Sequence, residues 1–117
     1  MKLKMKIRSA SRVKTGLDCF KALKALSDPR RIAILNLLLT EQLTAGRIAT
    51  RCKLTTYTAS RQLSALQQAG LLNCIKDGQK RVYGLSPACE VLVNRSTRTL
   101  DLKCCQFQLD AIVANAR

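Results

Sequence analysis

Two groups of residues in this chain have the types and spacing to do chemistry. The first is Thr56, Tyr57, Thr58, Ser60, Arg61 and Ser64, within "LTTYTASRQLSALQQAG" from Leu54 to Gly70. At helical spacing they gather at the N-terminal end and outward side of one helix. Arg can pair bidentately with guanine, Ser and Thr bond to base edges or phosphate, and apolar faces meet thymine methyls. The plain alternative is a solvated helix face. The second group is cysteine, of which there are six. Cys104 and Cys105 are adjacent, and their side chains diverge in either a helix or a strand. Two such pairs across a dimer axis, or one pair plus Cys89, would offer three or four thiolates. Soft ions take such ligands: arsenite, antimonite, Cu(I) or mercury. Basic surroundings also favour thiolate, which would suit a redox or persulfide response. The alternative is packing, since free Cys is among the most buried residue types. For Cys19, Cys52 and Cys74, set in apolar patterned segments, packing is the reading.

Catalysis is excluded on several grounds. The chain has no His, so Cys–His and Ser–His pairings are impossible. No Gly-rich phosphate loop or paired-carboxylate signature is present either. No cofactor is called for beyond a soft metal or metalloid ion on the cysteines.

The charge points to a partner. Lys and Arg number 21 against 7 Asp and Glu, a net +14 on 117 residues. Such a surface attracts polyanions, nucleic acid first and an anionic membrane second. No apolar stretch is long enough for a membrane span. Residues 1–15 form a basic arm, with Lys2, Lys4, Lys6, Arg8, Arg12 and Lys14 and no acid before Asp18. A like-charge run stays in solution or lies along phosphates. No apolar run follows it, so it is not read as a secretion signal. A cytoplasmic location follows, with the thiols mostly reduced and not a disulfide framework.

The elements that must position these groups are legible from period and caps. From Gly16 the pattern is helical, with Leu17, Phe20 and Leu23 on one face. In "LSDPRRIAILNLLLT", Asp28 is an N-cap and Pro29 fits the first turn, with Ile32, Leu35, Leu38 and Leu39 on one side. "TAGRIATRC" is a short helix capped by Thr44, with Ile48 inward. Thr55 caps the next helix, Ala59, Leu63 and Leu66 make its inward stripe, and Gly70 ends it. Helix, short turn and helix, the second one polar at its start, is an arrangement that reads a major groove. "LLNCIKDGQKRVYGL" then forms two strands around Asp77-Gly78. Lys76, Lys80 and Arg81 crowd that tip, so the hairpin is a wing laid on the DNA backbone.

Residues 20–85 resemble the winged helix-turn-helix of the ArsR/SmtB-type bacterial repressors. The resemblance rests on "LSDPRRIAILNLL", "LTTYTASRQLSALQQAGLL" and the wing "KDGQKRVYGL", in the family's order and spacing. It implies a homodimer that binds a near-palindromic operator in double-stranded DNA and represses nearby genes until an inducer releases it. It places DNA contacts on Thr56, Tyr57, Ser60 and Arg61. The family's metal sites do not carry over. Thr44 and Gly46 stand where many members hold a Cys-x-Cys pair, and the site that uses His on the last helix has no His here. The family builds its dimer from the first and last helices, which points to Leu17, Phe20, Leu92 and Val93 as contacts.

The fold expected is therefore mainly α with a small β-wing. The chain divides into an arm (1–15), a winged helix-turn-helix domain that binds DNA and dimerises (16–100) and a C-terminal extension (101–117) expected to join the dimer interface. Ser86 and Pro87 open a helix running through Val93 or beyond. Residues 100–109 read as extended, though Leu102, Cys105, Leu109 and Ile112 also fit a helix face, and a short terminal helix follows. The rival functions are a constitutive DNA binder without effector and a small RNA-binding protein. The latter more often carries aromatic stacking platforms, whereas Phe20, Tyr57, Tyr83 and Phe107 are scattered.

Overall fold

The computed structural model describes residues 18–110. The basic arm, Leu17 and most of the expected terminal helix lie outside the described residues. Helix α1 (Cys19–Ala25) starts where the Asp18 carboxylate accepts from the amides of Phe20 and Lys21 at 2.9 and 3.2 Å. Its buried face is Cys19, Ala22 and Ala25, small residues that let it lie close to its neighbours. Phe20 and Leu23 are 54% and 38% exposed, so the longer apolar face points away from this chain's own core.

Helix α2 (Pro29–Leu38) is capped by Asp28, which accepts from the Arg30 amide at 2.9 Å. Strand β1 (Leu43–Thr44) leads into α3 (Ala45–Cys52), and α4 (Thr56–Gln68) follows after a three-residue turn. The Thr44 and Thr55 hydroxyls accept from the Arg47 and Thr58 amides, as expected of N-caps. Helix α3 closes with Lys53 at φ 58°. There the Leu54 amide donates to Ala49 at 2.8 Å and the Lys53 amide to Thr50 at 3.3 Å. Helix α4 closes in the same way around Gly70 at φ 87°, with Leu71 donating to Leu66 and Gly70 to Gln67. Both ends carry the double hydrogen bond that satisfies the last helical carbonyls.

The core gathers Leu26, Ile34, Leu35, Ile48, Leu63, Leu66, Leu71 and Leu72, all fully buried. Each stabilises the fold by roughly 1.5–3 kcal/mol through the apolar surface it removes from water. The wing is β2 (Leu72–Asp77) and β3 (Lys80–Leu85), in a sheet of order β1-β3-β2. Asp77 pairs with Lys80, so the turn centres on Gly78-Gln79, one residue later than the Asp77-Gly78 expectation. Gly78 takes φ 66°, the left-handed conformation that the first central position of such a turn demands. Ser86 locks the wing to α4: its hydroxyl donates to the Gly70 carbonyl at 2.6 Å and accepts from the Cys89 amide at 3.1 Å.

The C-terminal part departs from expectation. A helix does open at Ser86, but α5 (Pro87–Glu90) is one turn long and stops short of Val93. The chain then builds a second antiparallel sheet from β4 (Val93–Asn94), β5 (Thr99–Asp101) and β6 (Gln106–Gln108), in that order. The physical reason lies in "NRSTR". The Asn94 side chain accepts from the Thr97 amide at 3.1 Å, a local turn that competes with helix. Arg95 donates to the Leu39 carbonyl at 2.8 Å, and Arg98 to the Asn36 carbonyl at 2.8 Å and its side chain at 2.7 Å. Two guanidiniums thus satisfy carbonyls at the C-terminal end of α2, where cations are favoured. Leu100, Leu102 and Leu109 bury against the helices. The extended reading of residues 100–109 matches β5 and β6.

Candidate nucleic-acid interface

The residues singled out on α4 lie together on its outer side. Thr56, Ser60, Arg61 and Ser64 are exposed, and Tyr57 is 70% exposed. The Arg61 guanidinium sits 5.7 Å from the centre of the Tyr57 ring, and its Nη1 reaches the Tyr57 hydroxyl at 3.3 Å. Ring and cation present one joined surface. Thr58 is half-buried and its hydroxyl accepts from Thr55 at 2.9 Å, so it shapes the turn more than it reaches outward. Lys76, Lys80 and Arg81 are all exposed on the wing, as expected.

Sequence reasoning missed the residues behind this face. Arg31, on α2, donates through Nε to the Gln62 side-chain oxygen at 2.6 Å and through Nη1 to the Ala25 carbonyl at 3.1 Å. Gln62 is 6% exposed, the one buried polar residue on α4. This single guanidinium joins the end of α1, the start of α2 and the middle of α4. Arg30, Arg31, Tyr57, Arg61, Ser64 and Gln68 are among the residues lining an open, mostly polar groove along α4. Arg31 and Gln62 had no sequence signal beyond a polar residue inside an apolar stripe. Arg30 is held by Asp28 at 2.8 Å, and that guanidinium holds the Asp28 carboxyl below its ordinary range.

The cysteines are arranged differently from the expectation. Cys104 is joined by a disulfide to Cys19, across a Cα–Cα distance of 6.8 Å. Cys104 is therefore partnered with α1 and not with Cys105, and Cys19, read as simple packing, is half of the bond. Cys52, Cys74, Cys89 and Cys105 are free thiols, so the cysteines are mostly reduced as expected and this pair is the exception. Adjacent side chains diverge, so Cys105 could not have taken its neighbour's place. Cys89 is fully buried, and burial first, then the Glu90 charge, pushes its thiol up to about 12. Burial also raises the Cys52 and Cys105 thiols. None of these three is poised as thiolate at neutral pH. Among the described residues of one chain no group of three or more Cys, His, Asp or Glu could hold a metal ion, and the Cys104 sulfur is taken up by Cys19.

Comparison with known proteins agrees with this geometry. A family described as a helix-turn-helix domain matches residues 26–75. Over 64 residues the chain is 38% identical to the transcriptional activator HlyU of Vibrio cholerae, an alignment covering 55% of this chain and 59% of that protein. The chain thus spans less than two thirds of that curated relative. The solved structure of reduced HlyU from Vibrio cholerae superposes with a TM-score of 0.58 at 32% identity, covering 71% of this chain and 80% of that one. A homodimeric winged helix-turn-helix DNA-binding domain from Mycobacterium bovis, described as a possible ArsR-family transcriptional regulator, superposes with a TM-score of 0.56 at 33% identity. That match covers 57% of this chain and 62% of the other. Among the described residues no helix is long and apolar enough to cross a membrane.

Proposed function

The chain belongs to the ArsR/SmtB-type family of winged helix-turn-helix transcription regulators, and from that membership we propose that it is a homodimeric, sequence-specific DNA-binding repressor of a near-palindromic operator. The observation that carries the reading is the exposed Tyr57–Arg61 pair at the start of α4, set on a helix-turn-helix beside a basic wing. In this reading α4 enters the major groove. Arg61, Tyr57, Thr56, Ser60 and Ser64 meet base edges, and Lys76, Lys80 and Arg81 neutralise phosphates. Such a protein works where its DNA is, in the cytoplasm. Dimerisation is supported by the apolar surface left on α1 and next to it. Phe20, Leu23 and Val91 are exposed, and Leu92 and Val93 are half-buried. In this reading the interface combines α1 with residues 91–93, where apolar side chains remain exposed or half-buried.

Repression follows if the operator overlaps a promoter. In a purified transcription reaction the protein should lower transcript from such a promoter. A rise would assign activation instead, as the name of HlyU states for that protein. The binding claim is tested by recovering a duplex from random sequence with the purified protein. Arg61→Ala should then cost roughly 1–3 kcal/mol on that duplex and little on random DNA. Equal losses on both would make Arg61 a phosphate contact.

The disulfide favours a redox effector over a soft ion. Two thiols at Cys19 and Cys104 lose two protons and two electrons to a peroxide, giving the disulfide and two waters. The bond would fix α1 to the C-terminal sheet, and the end of α1 touches Arg31, which holds α4. DNA affinity should differ between thiol-reduced and peroxide-treated protein, and Cys104→Ser should abolish that difference. A constitutive binder would show equal affinity in both states.

A further inference from the structure

The second sheet carries backbone groups on one edge that its own strands leave unused. Its order, β4-β5-β6, makes β4 an edge strand. Val93 stands opposite Leu100 and Asn94 opposite Thr99, and the Asp101 amide donates to the Leu92 carbonyl at 2.9 Å. Bonded and non-bonded pairs alternate along an antiparallel ladder. Leu92 and Asp101 are a bonded pair, so Val93 and Leu100 are a non-bonded one. The Val93 N–H and C=O therefore point away from β5, and among the described residues neither bonds another backbone group.

The register also aligns an apolar row. Cross-strand partners share a face, so Val93, Leu100 and Phe107 stand side by side. Leu100 is fully buried, while Val93 and Phe107 at the two ends are half-buried. The two ends differ. On β6 the row is flanked by exposed Gln106 and Gln108, and the Gln108 carboxamide donates to the Thr97 carbonyl at 2.8 Å. Beside β4, Val91 is 72% exposed and Leu92 is half-buried. Polar side chains guard a free edge, whereas an exposed apolar one invites pairing. The Cys19–Cys104 bond ties the start of α1 to the β5–β6 turn. Antiparallel pairing puts Val91 and Leu92 at that same end of the sheet. The β4 edge thus runs on from the α1 face that the dimer reading uses.

We propose that β4 pairs with β4 of a second copy of this chain, antiparallel about the twofold axis and centred on Val93, so that one sheet runs through the dimer. The inference rests on the dimer reading and names how the C-terminal half of that interface is built. A residue facing itself across a twofold axis makes two equal hydrogen bonds. The Val93 N–H donates to the carbonyl of the partner subunit's Val93, and the reverse. The apolar row continues across the axis and covers the half-buried Val93 side chain. Val91 then stands opposite the partner's Arg95. Arg95 is already paired with Glu90 at 2.8 Å, so this register sets no like charges against each other.

The test is sedimentation of the full-length protein over a dilution series, with hydrogen exchange of the β4 amides followed in parallel. Val93→Pro removes the outward N–H and no bond of the β4–β5 ladder. It should raise the dimer dissociation constant about 10–50-fold, the loss of two hydrogen bonds. Val91→Lys sets a cation against the partner's Arg95 and should also weaken the dimer, whereas Val91→Glu should leave it intact or tighter. Val91 is 72% exposed, so both of its variants should fold like wild type and decide the question even if Val93→Pro does not fold. The Val93 amide should be protected in the dimer and exchange freely in the diluted monomer. If Phe20→Asp dissociates the dimer while the Val91 and Val93 variants leave it unchanged, the pairing is refuted and the dimer stands on α1 alone. Protection of Val93 that persists in the monomer would assign the edge to another segment of this chain and refute the pairing as well. If wild type sediments as a monomer throughout, the dimer reading fails and takes the pairing with it.

Discussion

The guanidinium of Arg31 donates to the carboxamide oxygen of Gln62 over 2.6 Å, linking the first turn of α2 to the middle of α4. Arg31 also reaches the last residue of α1, Ala25, so three helices meet at one side chain. A charged donor on a buried carboxamide and a carbonyl is worth more than a neutral bond. Arg31→Ala should cost roughly 2–3 kcal/mol, because Gln62 is left buried without a partner. Denaturant unfolding measures that loss. Gln62→Leu should cost less, and a double-mutant cycle should return a coupling between the two positions.

Lys53 offers the opposite effect. It holds φ 58° in the turn between α3 and α4, where a Cβ is strained. Lys53→Gly should stabilise the protein by about 0.5–1 kcal/mol, since the relieved strain exceeds glycine's added chain entropy. Thermal unfolding would show a raised midpoint. An unchanged or lowered midpoint would mean that the Lys53 side chain makes a compensating contact.

The two helices of the reading motif were legible in the sequence almost residue by residue. Asp28, Thr44 and Thr55 declare their caps by type and position. Ile48, Ala59, Leu63 and Leu66 declare the core by their spacing. The outward face of α4 follows from the same period, so Tyr57, Ser60 and Arg61 were placed without a structure. The C-terminal sheet was only half legible. Its strands are two or three residues long, too short for alternation to outvote a helical pattern. What decides them is tertiary: Arg95 and Arg98 finding the open carbonyls of α2. The Cys19–Cys104 bond joins residues 85 apart in sequence, and no local pattern encodes such a pairing. Arg31 and Gln62 are invisible for the same reason.

Thiol reactivity separates the cysteines. Cys89 is buried and its thiol is raised to about 12, so it should resist iodoacetamide at neutral pH until the protein unfolds. Mass spectrometry of pulse-labelled protein should show Cys89 unmodified in the native state and modified in denaturant. Rapid native labelling at Cys89 would contradict its buried placement.

Acid should loosen both ends of α2. The Arg30 hydrogen bond lowers the Asp28 carboxyl below its ordinary 3.8, and the Arg95 hydrogen bond lowers Glu90 below its ordinary 4.5. A carboxyl lowered on folding adds stability above its unfolded value and loses it as pH falls through the folded one. Stability should therefore hold above about pH 5 and decline below 4.5 and then 3.8 as these groups protonate. Glu90→Gln should flatten the upper part of that decline, as measured by urea midpoints across the pH series. Both pairs are partly exposed, so salt should shrink the effect.

The central claim is that two copies of this chain present two α4 helices to one duplex. Hydroxyl-radical footprinting on the selected duplex, with the bound stoichiometry measured in parallel, tests it most directly. The account predicts two chains per duplex and two protected patches centred about one helical turn, roughly 34–36 Å, apart. Arg61→Ala should lose both patches together at protein concentrations that saturate wild type. One chain with a single patch, or even protection along the whole duplex, would contradict it.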